Sequence, residues 1–486
     1  MIARVLVVAA LAALLAGCGG SGHNASPPTT TTKPKPKPRP KPHTNHKMTK
    51  LVVTILDGDQ RTRVRGAKVS LWGKSGRTDR HGETTIVAPR GRHEVSVSKR
   101  GYGPARELVD FQRSRRQTVD VYQPDLQWPL YGATEARTQA PTEIRLRPPF
   151  RLVWSRGLGH LIEFPAVVAD GFAYIGNARG TIRAISMRNG KFAWTHLTPG
   201  FPRMASSPAV DGNEIVYHTM SGGVHVLNRT NGHVVWNWNS GSAIESSPIV
   251  VNGIDYFGTA SGEMYALDLR RHRVKWRKSL GSKITSSAAI AGGRLFIGDY
   301  SGRLWALSPA SGATRWVGQV SGKIYGTPAV AGGKVFVPSV AYSFSAFSTS
   351  GRRLWQVSTG SYVYASPAVA DGVVCFGAYN GVFYGVSAAT GGIRWEVGTG
   401  GAISGAAAVV DGVAYAGSFA HRIVGVDTGS GRVVLRFGHG NYVPVSGNGQ
   451  FLLFHGYSRL YAVEPKPAVT RLPAIHHKRH LRHERK

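Results

Sequence analysis

The sequence predicts an all-β chain: an eight-bladed β-propeller preceded by a small β-sandwich. Three observations predict it. Tryptophans recur at Trp154, Trp194, Trp236, Trp276, Trp316, Trp355 and Trp395, with Leu435 in the eighth slot, always 39 to 42 residues apart. Turn dipeptides run in step with them: Asp170-Gly171, Asp211-Gly212, Asn252-Gly253, Gly292-Gly293, Gly332-Gly333, Asp371-Gly372, Asp411-Gly412 and Asn448-Gly449. These residue types tolerate positive φ at both central positions of a two-residue hairpin turn. Glycine fills 61 of 486 positions, nearly twice the usual ~7%, with no collagen period. That suits many tight turns between short strands.

Residues 1–17 carry one early charge, Arg4, before the apolar run 5–15. This run falls short of the ~20 residues that span a bilayer and has the form of a secretory signal. It ends in Leu15-Ala16-Gly17-Cys18, which resembles the bacterial lipobox. The resemblance implies a lipid on Cys18 and a chain held to a cell membrane on its extracytoplasmic side. Residues 18–48 then form a basic, proline-rich tether in which 33–42 read KPKPKPRPKP. Alternating proline favours an extended polyproline helix. Its charge suits anionic lipid head groups or wall polymer.

Residues 49–123 alternate with the strand period, in Leu51-Val52-Val53-Thr54-Ile55, Ala67-Lys68-Val69-Ser70-Leu71, Thr84-Thr85-Ile86-Val87, His93-Glu94-Val95-Ser96-Val97 and Gln117-Thr118-Val119-Asp120-Val121. Turn signals at Asp57-Gly58, His81-Gly82 and Arg90-Gly91 separate them, so a sandwich of five to seven strands is expected. Val64-Arg65-Gly66-Ala67-Lys68-Val69, Thr78-Asp79-Arg80-His81-Gly82, Pro89-Arg90-Gly91-Arg92-His93 and Lys99-Arg100-Gly101-Tyr102 resemble the carboxypeptidase-regulatory, transthyretin-like family. That resemblance implies a non-enzymatic accessory module. Residues 124–150 read as a linker.

The propeller is expected over 151–465. In its first period Pro165-Ala166-Val167-Val168 turns at Asp170-Gly171 into Ala173-Tyr174-Ile175-Gly176, followed by Thr181-Ile182-Arg183-Ala184-Ile185 and Lys191-Phe192-Ala193-Trp194. Four antiparallel strands per ~40–45 residues mark a propeller blade. The eighth period has only three strands before Pro465-Lys466-Pro467, and Arg151-Leu152-Val153-Trp154 is a fourth strand with no blade of its own. Adding it to the last blade closes the ring and leaves no open edge. The tail 466–486 is basic and His-rich, and reads as disordered and solvated rather than metal-binding.

The run 184–194 opens on Ala184, holds Asn189-Gly190 and closes on Trp194. An Ala-to-Trp run of the same length recurs at 266–276 and 306–316, and at 226–236 with Val226 in the first place. This resembles the tryptophan-docking motif of the propellers related to pyrroloquinoline-quinone (PQQ) dehydrogenases. Gln127-Trp128-Pro129-Leu130-Tyr131-Gly132 resembles the lead-in before their first blade. Run 346–355 is one residue short, and the sixth and seventh runs open on Gly385 and Gly425, the seventh ending in Leu435.

The dehydrogenase branch implies oxidation of alcohols or sugars, with calcium and an Asp base at the quinone. No Cys-Cys pair exists, since Cys18 and Cys375 are the only cysteines. Asp170, Asp211, Asp371 and Asp411 serve as turn residues, and the remaining acids, Glu163, Glu245, Asp268 and Asp299 among them, scatter over different repeats. No catalytic residue, cofactor or metal site is therefore assigned. The non-catalytic branch is similar to the assembly lipoprotein BamB and implies a scaffold that binds envelope proteins through one face.

That face would be built by the loops leading into each innermost strand and the loops between strands two and three. They supply Arg203, Glu245, Lys283, Tyr300, Lys323, Tyr325, Tyr342, Tyr362, Tyr364, Tyr379, Phe419, Tyr442 and Tyr457. Tyr and Arg are enriched in binding hot spots. The strict period of the tryptophans assigns them to blade-to-blade packing. The net charge of +34 suits anionic wall polymer or lipid. It also suits nucleic acid, but an exported chain does not meet that partner.

Overall fold

The computed structural model describes residues 47–467. The signal segment, Cys18, all but the end of the tether and the tail beyond residue 467 lie outside the described residues.

Seven strands lie between Met48 and Val121. Met48–Asp57 runs antiparallel to Glu83–Pro89 and parallel to Arg116–Val121. The facing sheet is ordered Lys74–Arg77, Lys68–Leu71, Arg92–Ser98, Ala105–Asp110. Alternation does the burying: Leu51, Val53, Ile55, Val69, Leu71, Val95, Val97, Val119 and Val121 all point between the sheets. Each contributes ~1.5–3 kcal/mol of apolar burial. Two strands were not marked by sequence alternation, for a physical reason. Lys74–Arg77 buries no side chain, and Ala105–Asp110 buries only Val109.

The rest of the described chain is a β-propeller of eight four-stranded sheets. The innermost strand of the first blade, Val167–Ala169, lies beside those of the second, Ala209–Asp211, and the eighth, Val445–Gly447, which closes the ring. The eighth blade is completed by Phe150–Gly157, antiparallel to Arg459–Pro465.

Six of the eight turn dipeptides hold both residues at positive φ, from Asp170 (48°) and Gly171 (79°) to Asp411 (49°) and Gly412 (69°). Two differ. In the second blade Asp211 stays in its strand and the loop is Gly212-Asn213, with positive φ at Gly212. In the eighth, Asn448-Gly449 opens a four-residue loop between Gly447 and Leu452. The Asn448 Oδ1 accepts the N–H groups of Gln450 and Phe451, and its Nδ2 donates to Asp59 of the sandwich at 2.8 Å. This loop is enlarged because it meets the other sheet pair.

The ends of each repeat motif are cross-strand partners: Ala184 faces Trp194, Ala266 faces Trp276, and Gly385 faces Trp395. In the eighth blade Ala462 faces Trp154, so the motif is completed across 308 residues of chain. Each tryptophan then docks on the next blade. Trp154 Nε1 donates to the Met187 carbonyl at 2.7 Å, and Trp194, Trp276, Trp316, Trp355 and Trp395 repeat this with Arg229, Pro309, Thr349, Ala388 and Thr428. Each of these six rings rests on a glycine. A Cβ on Gly190 would stand 2.7 Å from Trp154, and one on Gly312 would stand 2.8 Å from Trp276.

Residues 127–139 are built into the propeller rather than strung between units. The innermost strands expose N–H groups toward the axis, and buried donors need partners. Trp128 exchanges two backbone hydrogen bonds with Val168. Val210, Ile290, Val330, Val369 and Val409 then donate in turn to the carbonyls of Pro129, Glu135, Ala136, Thr138 and Gln139. The segment is a hoop around one end of the channel. Arg137, only 1% exposed, fastens it by donating to the carbonyls of Ala288, Ser247, Pro248 and Tyr131.

Candidate functional site

At the other end the channel opens as a cavity of about 500 Å³. Eight positions, one per blade, line it or border it at nearly the repeat spacing: Glu163, Arg203, Glu245, Thr285, Tyr325, Tyr364, Ser404 and Tyr442. Because each occupies the same place in its blade, sequence differences around this ring translate directly into a chemical gradient around the mouth. Blades one to three supply charge, and blades five, six and eight supply aromatic rings. Tyr131 and Phe164 also line the cavity, with centroids 5.9 Å apart. The Tyr131 hydroxyl donates to Ser366 Oγ at 2.9 Å.

The two loop sets assigned to one face do meet. Met220 N–H donates to the Arg203 carbonyl, Tyr300 to Lys283, Val340 to Lys323, Tyr379 to Tyr362 and Phe419 to Ala402. This ladder carries a continuous arc of rings. Tyr300 and Tyr325 lie 6.2 Å apart, Tyr325 and Tyr364 5.4 Å, Tyr364 and Tyr379 5.5 Å, Tyr379 and Phe419 6.0 Å, and Phe419 and Tyr442 5.0 Å. Tyr362 joins at 5.8 Å from Tyr364, and Tyr342 lies 4.9 Å beyond it. Tyr325, Tyr342, Tyr362, Tyr379 and Phe419 remain exposed. Tyr457 shares the face, its carbonyl accepting from Ile162, but it pairs with no other ring.

Two of the three basic residues are ion-paired. Arg203 grips Glu163 with two nitrogens, and Lys283 Nζ lies 2.9 Å from Glu245. These carboxylates hold both cations more firmly protonated than usual. Lys283 and Lys323 also sit 5.3 and 5.2 Å from the Tyr300 ring centre, a cation–π arrangement. Burial pushes the Tyr300, Tyr325 and Tyr364 phenols up, so near neutrality they are hydrogen-bond donors. Of the predicted residues, Arg203, Glu245, Tyr325, Tyr364, Tyr379, Phe419 and Tyr442 line the cavity, while Lys283, Tyr300, Lys323, Tyr342, Tyr362 and Tyr457 lie outside its lining.

Sequence reasoning set Glu245 on this face but did not place Tyr131, Glu163 and Phe164 in the cavity. Glu163 could have been found from its spacing of one repeat before Arg203. Tyr131 could not, since it arrives on the hoop. Cys375 is fully buried, and its thiol is pushed up by burial. Among the described residues no three His, Cys, Asp or Glu side chains converge as a metal ion would require.

Eight blades, a Trp-on-Gly seat in six of the interfaces and a strand closing the ring define a PQQ-like β-propeller. Residues 151–283 and 260–467 match the family described as outer membrane protein assembly factor BamB, and the chain belongs to that family. BamB from Moraxella catarrhalis is similar in fold (TM-score 0.56, 17% identity), with 66% of this chain and 98% of that one covered. The quinohemoprotein alcohol dehydrogenase from Comamonas testosteroni aligns at TM-score 0.61 and 14% identity, over 70% of this chain and 81% of that one. The computationally designed Ika8 protein aligns at TM-score 0.56 and 17% identity, over 64% and 98%. No curated protein sequence matches.

Proposed function

We propose that the protein is a non-enzymatic scaffold, anchored through Cys18 on the extracytoplasmic side of a membrane, that binds envelope proteins at the open mouth of the propeller. One observation carries this reading: the arc of rings across blades four to eight, partly exposed around a cavity whose far end is closed by the hoop. Aromatic rings with few rotatable bonds make contact area at low entropic cost, and the Glu163–Arg203 pair beside them supplies polar specificity. A protruding apolar or aromatic side chain of a partner fits the cavity, with the flanking backbone lying on the arc.

The calcium-bound quinone of the dehydrogenase branch does not suit these residues. The two carboxylates lining the cavity, Glu163 and Glu245, are each engaged by a cation, which leaves no anionic oxygen set for a hard cation.

The test is crosslinking capture from native membranes with the full chain, beside a variant carrying Tyr364→Ala and Tyr379→Ala. A defined protein captured by the parent and lost in the variant is the expected result. Salt-sensitive capture of wall polymer alone, unchanged by the variant, would overturn the reading. So would a bound-quinone absorption band with dye-linked alcohol oxidation after addition of PQQ and calcium.

A further inference from the structure

The sandwich carries an exposed tryptophan that its own fold does not use. Trp72 and Gly73 form the two-residue loop between Lys68–Leu71 and Lys74–Arg77, with φ of 49° and 73°. Both central residues are left-handed, as in the turn that asparagine and glycine favour. A bulky side chain in that region is an outlier that costs free energy. Burial does not offset it here, since Trp72 is 49% exposed while the other ten tryptophans are buried or half-buried.

The surroundings say what the ring meets. Leu71 faces Val95, and Glu94 faces Leu108, so Leu108, 67% exposed, lies in the row next to the hairpin tip on the same outward face. Lys74 Nζ sits 5.7 Å from the Trp72 ring centre. Lys68, Arg77 and Arg106 are exposed on the outward face, which register shares between the strands. Glu94 and Asp110 are the acids there, and Asp110 is engaged by Arg92 at 3.6 Å. An indole at the tip of a basic hairpin, with a leucine beside it, has the chemistry of a membrane-interface anchor. Indoles settle at the head-group level, and each Lys or Arg near an anionic leaflet adds attraction.

We infer that the Trp72 hairpin inserts into the interface of a bilayer bearing anionic lipids and so holds the sandwich against the membrane. This contact is separate from the cavity mouth and does not depend on what the propeller binds.

The test uses the full chain carrying Cys18→Ser, so that no acyl chain on that residue contributes. It is mixed with vesicles of phosphatidylcholine and phosphatidylglycerol in equal parts, with brominated acyl chains. Tryptophan fluorescence is expected to be quenched on these vesicles, and not on phosphatidylcholine alone. Trp72→Asn is the informative variant. Asparagine suits the turn, so the hairpin is expected to fold at least as well, while quenching disappears and affinity falls about tenfold. Binding without quenching would show that basic segments hold the vesicle by charge and would overturn the proposal. Quenching that survives in Trp72→Asn, or no binding to anionic vesicles, would overturn it equally.

Discussion

The indole of Trp236 lies flat on the imidazole of His272, with ring centroids 4.6 Å apart and planes 10° from parallel. In the other six interfaces formed by a repeat tryptophan, glycine holds the position that His272 holds here. His272 pays for this place with a φ of 54°, and among the described residues Trp236 is the repeat tryptophan whose Nε1 has no blade-to-blade carbonyl. The stack replaces a hydrogen bond and a glycine seat.

Two substitutions at this site are therefore expected to diverge. His272→Ala keeps the left-handed backbone and loses the stack, and should lower stability by about 1 kcal/mol. His272→Gly relieves the backbone and should match or exceed the parent. Urea unfolding of the three proteins decides it, and an alanine variant as stable as the glycine variant would contradict the account.

The glycine seats themselves separate backbone from packing. Gly312 and Gly292 both have positive φ, 71° and 55°. A Cβ on Gly312 meets Trp276, whereas one on Gly292 has nothing within 4 Å. Gly292→Ala should cost about 1 kcal/mol, from conformation alone. Gly312→Ala should cost about 2–4 kcal/mol, since the ring must also move. Equal losses in thermal or denaturant unfolding would mean that the tryptophan is not seated tightly.

Asp59 couples stability to pH at the junction of sandwich and propeller. Burial, then the Asp57 charge, pushes its carboxyl up to about 7, although Gln127 and Asn448 donate to it. A raised carboxyl binds its proton more tightly in the folded state, so its stabilising contribution is complete below pH ~4 and is lost as pH rises toward 7. The loss amounts to at most about 4 kcal/mol. Relative to Asp59→Asn, the parent should lose thermal midpoint steadily between pH 4 and 7 and then level off. A difference that is flat across that range would show the group is ionised throughout.

Within the arc, Tyr364 touches Tyr325, Tyr362 and Tyr379, while Tyr457 touches no ring. Tyr364→Ala should weaken partner binding by at least 2 kcal/mol, the scale of a hot spot, and Tyr457→Ala by well under 1. Titration of each variant against the captured partner measures this directly, and a reversed order would move the contact off the arc.

The repeat was legible because one fold unit is written eight times, and period yields the blades, the closing strand and the blade-to-blade place of the tryptophans. The ladder between two loop sets was legible too, since hairpin connectivity dictates which loops share a side. Two things were not. The hoop has no strand pattern, because residues 127–139 take their partners one at a time from six separate strands. The pairing of Arg203 with Glu163 and of Lys283 with Glu245 was hidden because it joins successive blades, and periodicity compares equivalent positions without showing what their side chains reach.

The hoop and the closing strand also set an order of assembly. Both come from residues 127–157 and are made before any blade, yet their partners extend to Val409 and Pro465. A chain leaving the ribosome must hold the hoop in waiting until Val409 follows, and the closing strand until the final hairpin does. A chain interrupted in its last blade has every partner of the band at its hub, which end at Val409, but no lock on its rim. Only a chain made as far as Pro465 can shut, so completion of the ring is checked by geometry before the mouth exists to bind anything.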